Sequence, residues 1–266
     1  MRIDASDLDF RRLPGAVPAA VATVTEAQWS ALAEAIHAGG RLVALWGSDR
    51  RHVGEGFAVY AAYAAEDGLA CARLLVSADR AEYPDLSTRF PSASRMQRAV
   101  SDLLGVGAGG AEDQRSWLRH GAWPADFFPL RHDADPQQAF ENAQEHYAFV
   151  GVEGDGVHEI PVGPIHAGII EPGHFRFSIV GEKVLRLEQR LGYVHKGIER
   201  RFVGLPLAEG HRLAGRVSGD STVAYAWAYA MAAEAAAACA IPARAAWLRA
   251  LLLERERVAN HLGDLG

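Results

Sequence analysis

Residues 163–202 read GPIHAGIIEPGHFRFSIVGEKVLRLEQRLGYVHKGIERRF, and the character of the chain changes within this stretch. Phe175 to Val180 and Lys183 to Leu187 alternate in polarity around Gly181-Glu182, the pattern of a β-hairpin. Three histidines, His166, His174 and His195, stand beside glycines and carboxylates. From Tyr193 onward helices are predicted. Ala243 to Leu262 carries Trp247, Leu248, Leu251, Leu252, Arg255 and Val258 at helical spacing, with an arginine-and-glutamate face.

Working back from this stretch, the first half reads differently. Thr25-Glu26-Ala27-Gln28 is a capping-box pattern that opens a helix through Ala38, stopped by Gly39-Gly40. Arg41 to Trp46 reads as a strand. Gly56 to Ala65 and Leu69 to Ser77 flank Glu66-Asp67-Gly68, a hairpin signal. Three sequential strands and a helix predict a small, mainly antiparallel sheet covered on one face. A helical stretch to Leu104 ends at Gly105, an extended arm runs to Asp135, and a further helix is expected from about Pro136 to Phe149. Gly151 to Gly156 forms the expected junction. The fold class is therefore α+β, in two domains, residues 1–150 and 151–266, and no internal repeat is visible.

With 266 residues, 49% of them hydrophobic, the chain has ample material for a core. A formal net charge of −6 argues against nucleic acid as a partner. Cys71 and Cys239 lie too far apart for metal-ligand spacing and suggest no disulfide framework, which points to a reducing compartment. The opening MRIDASDLDFRR has no apolar core and does not read as a signal peptide. Val223 to Ile241 approaches the length of a membrane span, but Glu234 interrupts it and alanine dominates, so a buried helix is expected instead. No G-x-G-x-x-G lies between a strand and a helix, so NADH, if involved, binds elsewhere.

Four groups of residues have chemistry worth following. Ser218-Gly219-Asp220-Ser221 sets a hydroxyl, a carboxylate and a hydroxyl in one loop. Either it lines a polar cavity, or its members cap the helix that begins at Thr222. In Glu171-Pro172-Gly173-His174, a partly buried glutamate would have a raised pKa, and a histidine titrates near neutrality, so the two can pass a proton. The alternative is a loop glutamate and histidine bonded to backbone, and His166 invites the same two readings. His195, Lys196 and Glu199 form either a charged relay or a salt bridge, Lys196 and Glu199 being one helical turn apart. Tyr225, four residues beyond Ser221, is either a site residue or a packing aromatic.

Tyr193-Val194-His195-Lys196-Gly197-Ile198-Glu199 resembles the G-Y-x-H-K/R-G-x-E element that opens the large subunit shared by group 4 NiFe hydrogenases (the hydrogenase-4 and formate-hydrogenlyase type) and complex I, where it is the 49-kDa subunit. Glu171 to His174 resembles that family's Glu-Gly-His signature, and His166 in Gly163-Pro164-Ile165-His166 matches the first histidine of the complex I loop. Residues 1–150 resemble the 30-kDa subunit of complex I. Ser101-Asp102-Leu103-Leu104-Gly105 stands at that family's helix end, with Gln97 and Arg98 where the family has acidic residues. The fused order is typical of the hydrogenase-4 branch. Where such a hydrogenase reads R-V-C-G-I-C, this chain reads Arg216-Val217-Ser218-Gly219-Asp220-Ser221.

The resemblance implies Glu171 and His174 as catalytic, proton-active residues. It implies His166, Ser218, Asp220, Ser221 and Tyr225 as cofactor-binding residues around a former metal pocket or quinone cavity, with no metal ligand. Complex I supplies a tyrosine before the cysteine positions; here none lies between His211 and Ser218, and Tyr225 is the nearest. Arg212 and Arg216 would face the site and an adjacent iron–sulfur subunit. The chain itself is expected to bind no cofactor, a quinone being the candidate ligand and the iron–sulfur cluster lying on a partner small subunit. Antiporter-like membrane-arm subunits are the other expected partners. No direct membrane span is expected, and the location implied is peripheral, on the cytoplasmic side of the cell membrane. The motif Gly263-Asp264-Leu265-Gly266 falls in mid-domain in the family, so a fragment or a shortened member is expected. A non-catalytic scaffold is the alternative. A working NiFe hydrogenase would need further soft ligands that two isolated cysteines do not supply.

Overall fold

The computed structural model describes residues 8–65, 68–143, 145–167 and 170–266. Five strands form the first sheet: β1 (Arg11–Leu13), β2 (Ala19–Val24), β3 (Arg41–Asp49), β4 (Phe57–Ala65) and β5 (Gly68–Val76). Their order is β1-β2-β5-β4-β3, antiparallel throughout except that β2 runs parallel to β5. The expected β4–β5 pairing is present, while Glu66 and Asp67 of its turn lie outside the described residues. Two of the five strands escape the sequence reading. In β2, Ala20, Ala22 and Val24 alternate inward with period 2, but alanine is a weak strand former and masks the signal.

Helix α1 (Glu26–His37) begins as the capping box requires. The amide of Gln28 donates to Thr25 Oγ1 at 3.3 Å, and the amide of Thr25 donates to Gln28 Oε1 at 2.9 Å. The helix lays Trp29, Leu32, Ala33 and Ile36 onto the core, where Phe57, Val59 and Tyr63 of β4 are buried. Helix α2 (Ala93–Leu104) packs on β3 and stops at Gly105, whose φ of 70° is the left-handed geometry glycine accepts without strain. The arm then satisfies the helix's last carbonyls: the amide of Leu130 donates to Leu103 O at 3.0 Å, and Arg131 Nε to Leu104 O at 2.7 Å. Short strands β6 (Glu82–Pro84) and β7 (Gly107–Gly109) pair in parallel beside α2.

The helix expected from Pro136 to Phe149 does not form among the described residues. Its residues are held extended by tertiary bonds that a helix would break. The amide of Ala143 donates to Gly121 O at 2.9 Å, and Glu145 accepts from Ser116 and, at 2.5 Å, from Arg190. The Tyr147 ring lies under the guanidinium groups of Arg115 and Arg190 at 4.6 and 4.4 Å.

The second sheet is an antiparallel meander of β8 (His158–Val162), β9 (His174–Val180) and β10 (Lys183–Arg190), the expected hairpin with one more edge strand. A polar seam joins it to α2. Arg98, buried on α2, donates to Asp113, to the carbonyls of Arg115 and Ser116 and to Tyr147. Arg115 in turn reaches the buried Glu188 of β10. Helices α3 (Ile198–Phe202), α4 (Gly210–Ala214), α5 (Thr222–Ala236) and α6 (Ala243–Leu265) follow. The buried helix expected near Val223–Ile241 is α5, but none of its residues is buried. Too few elements pack around it to close its apolar surface off from solvent. Among the described residues no helix is long and apolar enough to cross a membrane.

Candidate functional site

The loop before β9 is shaped by Gly163, whose φ is 80° and whose α-carbon sits so close to Gly173 O that an added Cβ would collide with it. Glycine is required there on both counts. The close approach brings His174 Nδ1 to 2.9 Å from Gly163 O. A carbonyl only accepts, so Nδ1 carries the hydrogen, and Nε2 remains as the basic atom. The Nε2 atom is buried with no hydrogen-bond partner among the described residues, and the ring lies 5.1 Å from that of Phe149. His166 is half-buried against the same glycine. Gly168 and Ile169 lie outside the described residues. Glu171 is exposed, so the partial burial expected of it is not found. The chain turns inward after Pro172, at Gly173 and His174, which are both buried.

Ser218-Gly219-Asp220-Ser221 lies between α4 and α5, with Gly219–Ser221 in a 3-10 turn. Ser218 and Ser221 are half-buried and Asp220 is exposed. Neither serine side chain makes a cap bond. The cap comes from α6 instead: the Glu256 carboxylate accepts from the amides of Val223 at 2.5 Å and Ala224 at 3.1 Å. Asn260 Nδ2 donates to Asp220 O at 2.6 Å, and Lys196 Nζ donates to Val217 O at 2.9 Å. Thr222 Oγ1 donates to Gly215 O at 3.1 Å, closing the turn from within. The capping reading is therefore corrected: the serines stand at the helix start, but a glutamate from another helix satisfies the amides.

Lys196 is bound to the serine loop's approach, and among the described residues neither a relay nor a salt bridge joins it to Glu199. Glu199 and His195 both keep solvent-exposed edges, yet the protein packed around them disfavours charge on either. It pushes the Glu199 carboxyl pKa up and lowers that of His195, whose ring is 6.3 Å from Trp123. His120, which sequence reasoning passed over, sits under Tyr193 with ring centroids 4.3 Å apart and Nε2 2.9 Å from Leu191 O. Burial lowers its pKa, against the opposing pull of that carbonyl. The side chains of Arg212 and Arg216 are exposed and make no ion pair among the described residues.

Beyond Ser221 an apolar cavity of about 530 Å³ opens along α5, lined by Leu207, His211, Thr222, Val223, Trp227 and Tyr229 among others. Glu234 and Arg249, paired at 2.6 Å, line it as well. Tyr225 does not line it; that side chain is exposed on α5. Among the described residues, no hydrogen bond or ring contact joins Glu171 or His174 to Ser218, Asp220, Ser221 or Tyr225. His166, Glu171 and His174 thus lie at the entry to β9, Ser218, Asp220 and Ser221 at the start of α5, and His195, Lys196 and Glu199 at the start of α3. Glu256, Asn260 and His120 were missed, though Glu256 and Asn260 carry a signal: they sit four apart on α6, among residues facing α5.

Residues 22–139 match the family described as respiratory-chain NADH dehydrogenase, 30 Kd subunit. The chain is 36% identical over 236 residues to formate hydrogenlyase subunit 5 of Escherichia coli (strain K12), covering 86% of this chain and 42% of that protein. Hydrogenase-4 component G of the same organism is likewise 36% identical over 236 residues, covering 85% and 42%. The C/D protein of NADH-quinone oxidoreductase from Bacteroides thetaiotaomicron is 24% identical over 203 residues, covering 69% and 38%. The chain belongs to the family of group 4 hydrogenase and complex I subunits. It spans less than half the length of these relatives.

Proposed function

We propose that this chain serves as a subunit of a membrane-associated, hydrogenase-4-like or complex-I-like oxidoreductase, and that it holds no NiFe centre. The observation that carries the second half is the donor set at the start of α5. Nickel and iron held together require soft thiolates. Ser218 and Ser221 offer hydroxyls, Asp220 a hard carboxylate, and the cysteines stand elsewhere, Cys71 in β5 and Cys239 beyond α5. The residues present do not fit the metal pair.

In this reading the serine turn is a polar, protonatable pocket facing a partner's iron–sulfur cluster. A neutral, carbonyl-bearing molecule such as a quinone is its candidate ligand, with Tyr225 at the margin. His174, hydrogen-bonded through Nδ1, offers Nε2 as a proton acceptor, and the exposed Glu171 exchanges protons with solvent. The partners are an iron–sulfur small subunit and antiporter-like membrane subunits, and the chain sits peripherally on the cytoplasmic side. In the native assembly, Glu171→Gln and His174→Gln are expected to lower electron transfer coupled to proton movement at least about tenfold while the complex still forms. Unchanged coupled activity would remove the proton role.

One observation favours a second reading, a scaffold without redox chemistry of its own: Glu171 is exposed and lies outside contact with the serine turn. That reading expects Glu171, His174 and Asp220 variants to be silent, and damage to the first sheet to prevent assembly.

A further inference from the structure

Two glutamates of α6 with the same chemistry do different things. Glu254 pairs with Arg257 on the open side of the helix at 3.1 Å. Glu256 reaches across to α5 and accepts from the amides of Val223 and Ala224. Those are the second and third amides of α5, the donors that a serine at position 221 would ordinarily satisfy as N-cap. Asn260, one turn further along α6, holds the carbonyl of Asp220, and Lys196 holds that of Val217. The turn is therefore held from outside on either side of Ser218 and Gly219, neither serine side chain makes a cap bond, and the amides that Ser221 would cap are already taken.

The start of a helix normally attracts anions, because its unpaired amides and its dipole both favour negative charge. Here a carboxylate from the neighbouring helix already fills that position. We propose that Glu256 is a positioning and selectivity residue of the serine turn: by taking over the N-cap of α5 it releases the hydroxyl of Ser221 to a ligand, and its charge turns away anions in favour of neutral hydrogen-bonding molecules. The proposal deepens the reading of the serine turn as the working pocket, and rests on it for the ligand. The capping and charge effects are measurable without any assembly activity, so failure here and failure of that reading are separable.

A thiol placed at the turn reports the local field, since only the thiolate reacts and its abundance follows the charge around it. The probe is Ser221→Cys in the full chain, in a Cys71→Ser, Cys239→Ser background, alkylated at about pH 7 with neutral iodoacetamide and with anionic iodoacetate. Adding Glu256→Gln is expected to raise the iodoacetamide rate by about tenfold, and the iodoacetate rate by more. Glu254→Gln, which removes the same charge from the open side of α6, is expected to change either rate less than about twofold. A Glu256→Gln rate equal to the parent, or one matched by Glu254→Gln, would overturn the proposal. The unaltered chain supplies a test free of any folding defect. Hydrogen exchange at the amides of Val223 and Ala224 is expected to be slowed at least about tenfold by the carboxylate. Exchange there at the unprotected rate would equally overturn it.

Discussion

The first sheet and the last two helices solve the problem of burial in opposite ways. In the sheet, Trp29, Phe57, Tyr63 and Leu86 are closed off from solvent by α1, α2 and the strands themselves. In α5 and α6 no residue is buried, and Trp247 is 77% exposed. The first region holds its shape by apolar packing. Around the serine turn, side chains reaching from elsewhere do that work: Lys196, Glu256 and Asn260. Stability and site geometry therefore lie in different halves of the chain, under different forces.

The largest effect expected from this contrast comes from matched tryptophan substitutions. Trp29→Ala is expected to destabilise the chain by about 3–5 kcal/mol, because it opens a large cavity in a closed core. Trp247→Ala is expected to change stability by less than about 0.5 kcal/mol. Chemical denaturation of the two variants decides, and a similar loss in both would erase the distinction.

An intermediate effect is expected at the edge of the sheet. Asp49 is buried at the end of β3, and its carboxylate accepts from Arg51 and from the amide of His132, tying the arm to the sheet. Burial opposes its charge, but the Arg51 guanidinium and the two backbone amides outweigh burial and hold the carboxyl well below the usual carboxylate range. A depressed folded-state pKa contributes stability that is present above the unfolded value of about 3.9 and is lost as pH falls below it. Asp49→Asn is expected to cost about 2 kcal/mol at neutral pH. Its denaturation midpoint should vary less between about pH 5 and pH 2.5 than that of the parent.

The smallest effect belongs to His120, which packs the arm onto Gly192 and Tyr193. Burial lowers its pKa, so its contribution is present above about pH 6.5 and is lost as pH falls through the folded-state value. Acidification from about pH 7 to 5 is expected to cost under about 1 kcal/mol at this contact. An NMR titration of the His120 ring checks it, since a ring protonated at the ordinary pH would contradict the assignment.

The features legible in the sequence were those specified locally. Thr25 and Gln28 read as a reciprocal cap because both partners lie within one helical turn, and Gly105 marked its helix end because no other residue adopts that backbone cheaply. The helix expected over Pro136–Phe149 failed for the converse reason. Ala143, Glu145 and Tyr147 are claimed by Gly121, Arg190 and Arg115, partners that no short window of sequence contains. The same limit applies at the site. The serine turn and His174 were visible as motifs, but Glu256 lies far along the chain from the amides it caps, and its role appears only once α6 is laid beside α5.

Work within a hydrogenase-4-like or complex-I-like assembly, without a NiFe centre, is a property that a single preparation can decide. The tagged native chain would be purified from detergent-solubilised membranes, its companions identified by mass spectrometry and its nickel content measured per chain. An iron–sulfur protein and antiporter-like membrane proteins are expected in the eluate, with nickel far below stoichiometry. Stoichiometric nickel on this chain, or the chain eluting alone, would contradict the proposed role.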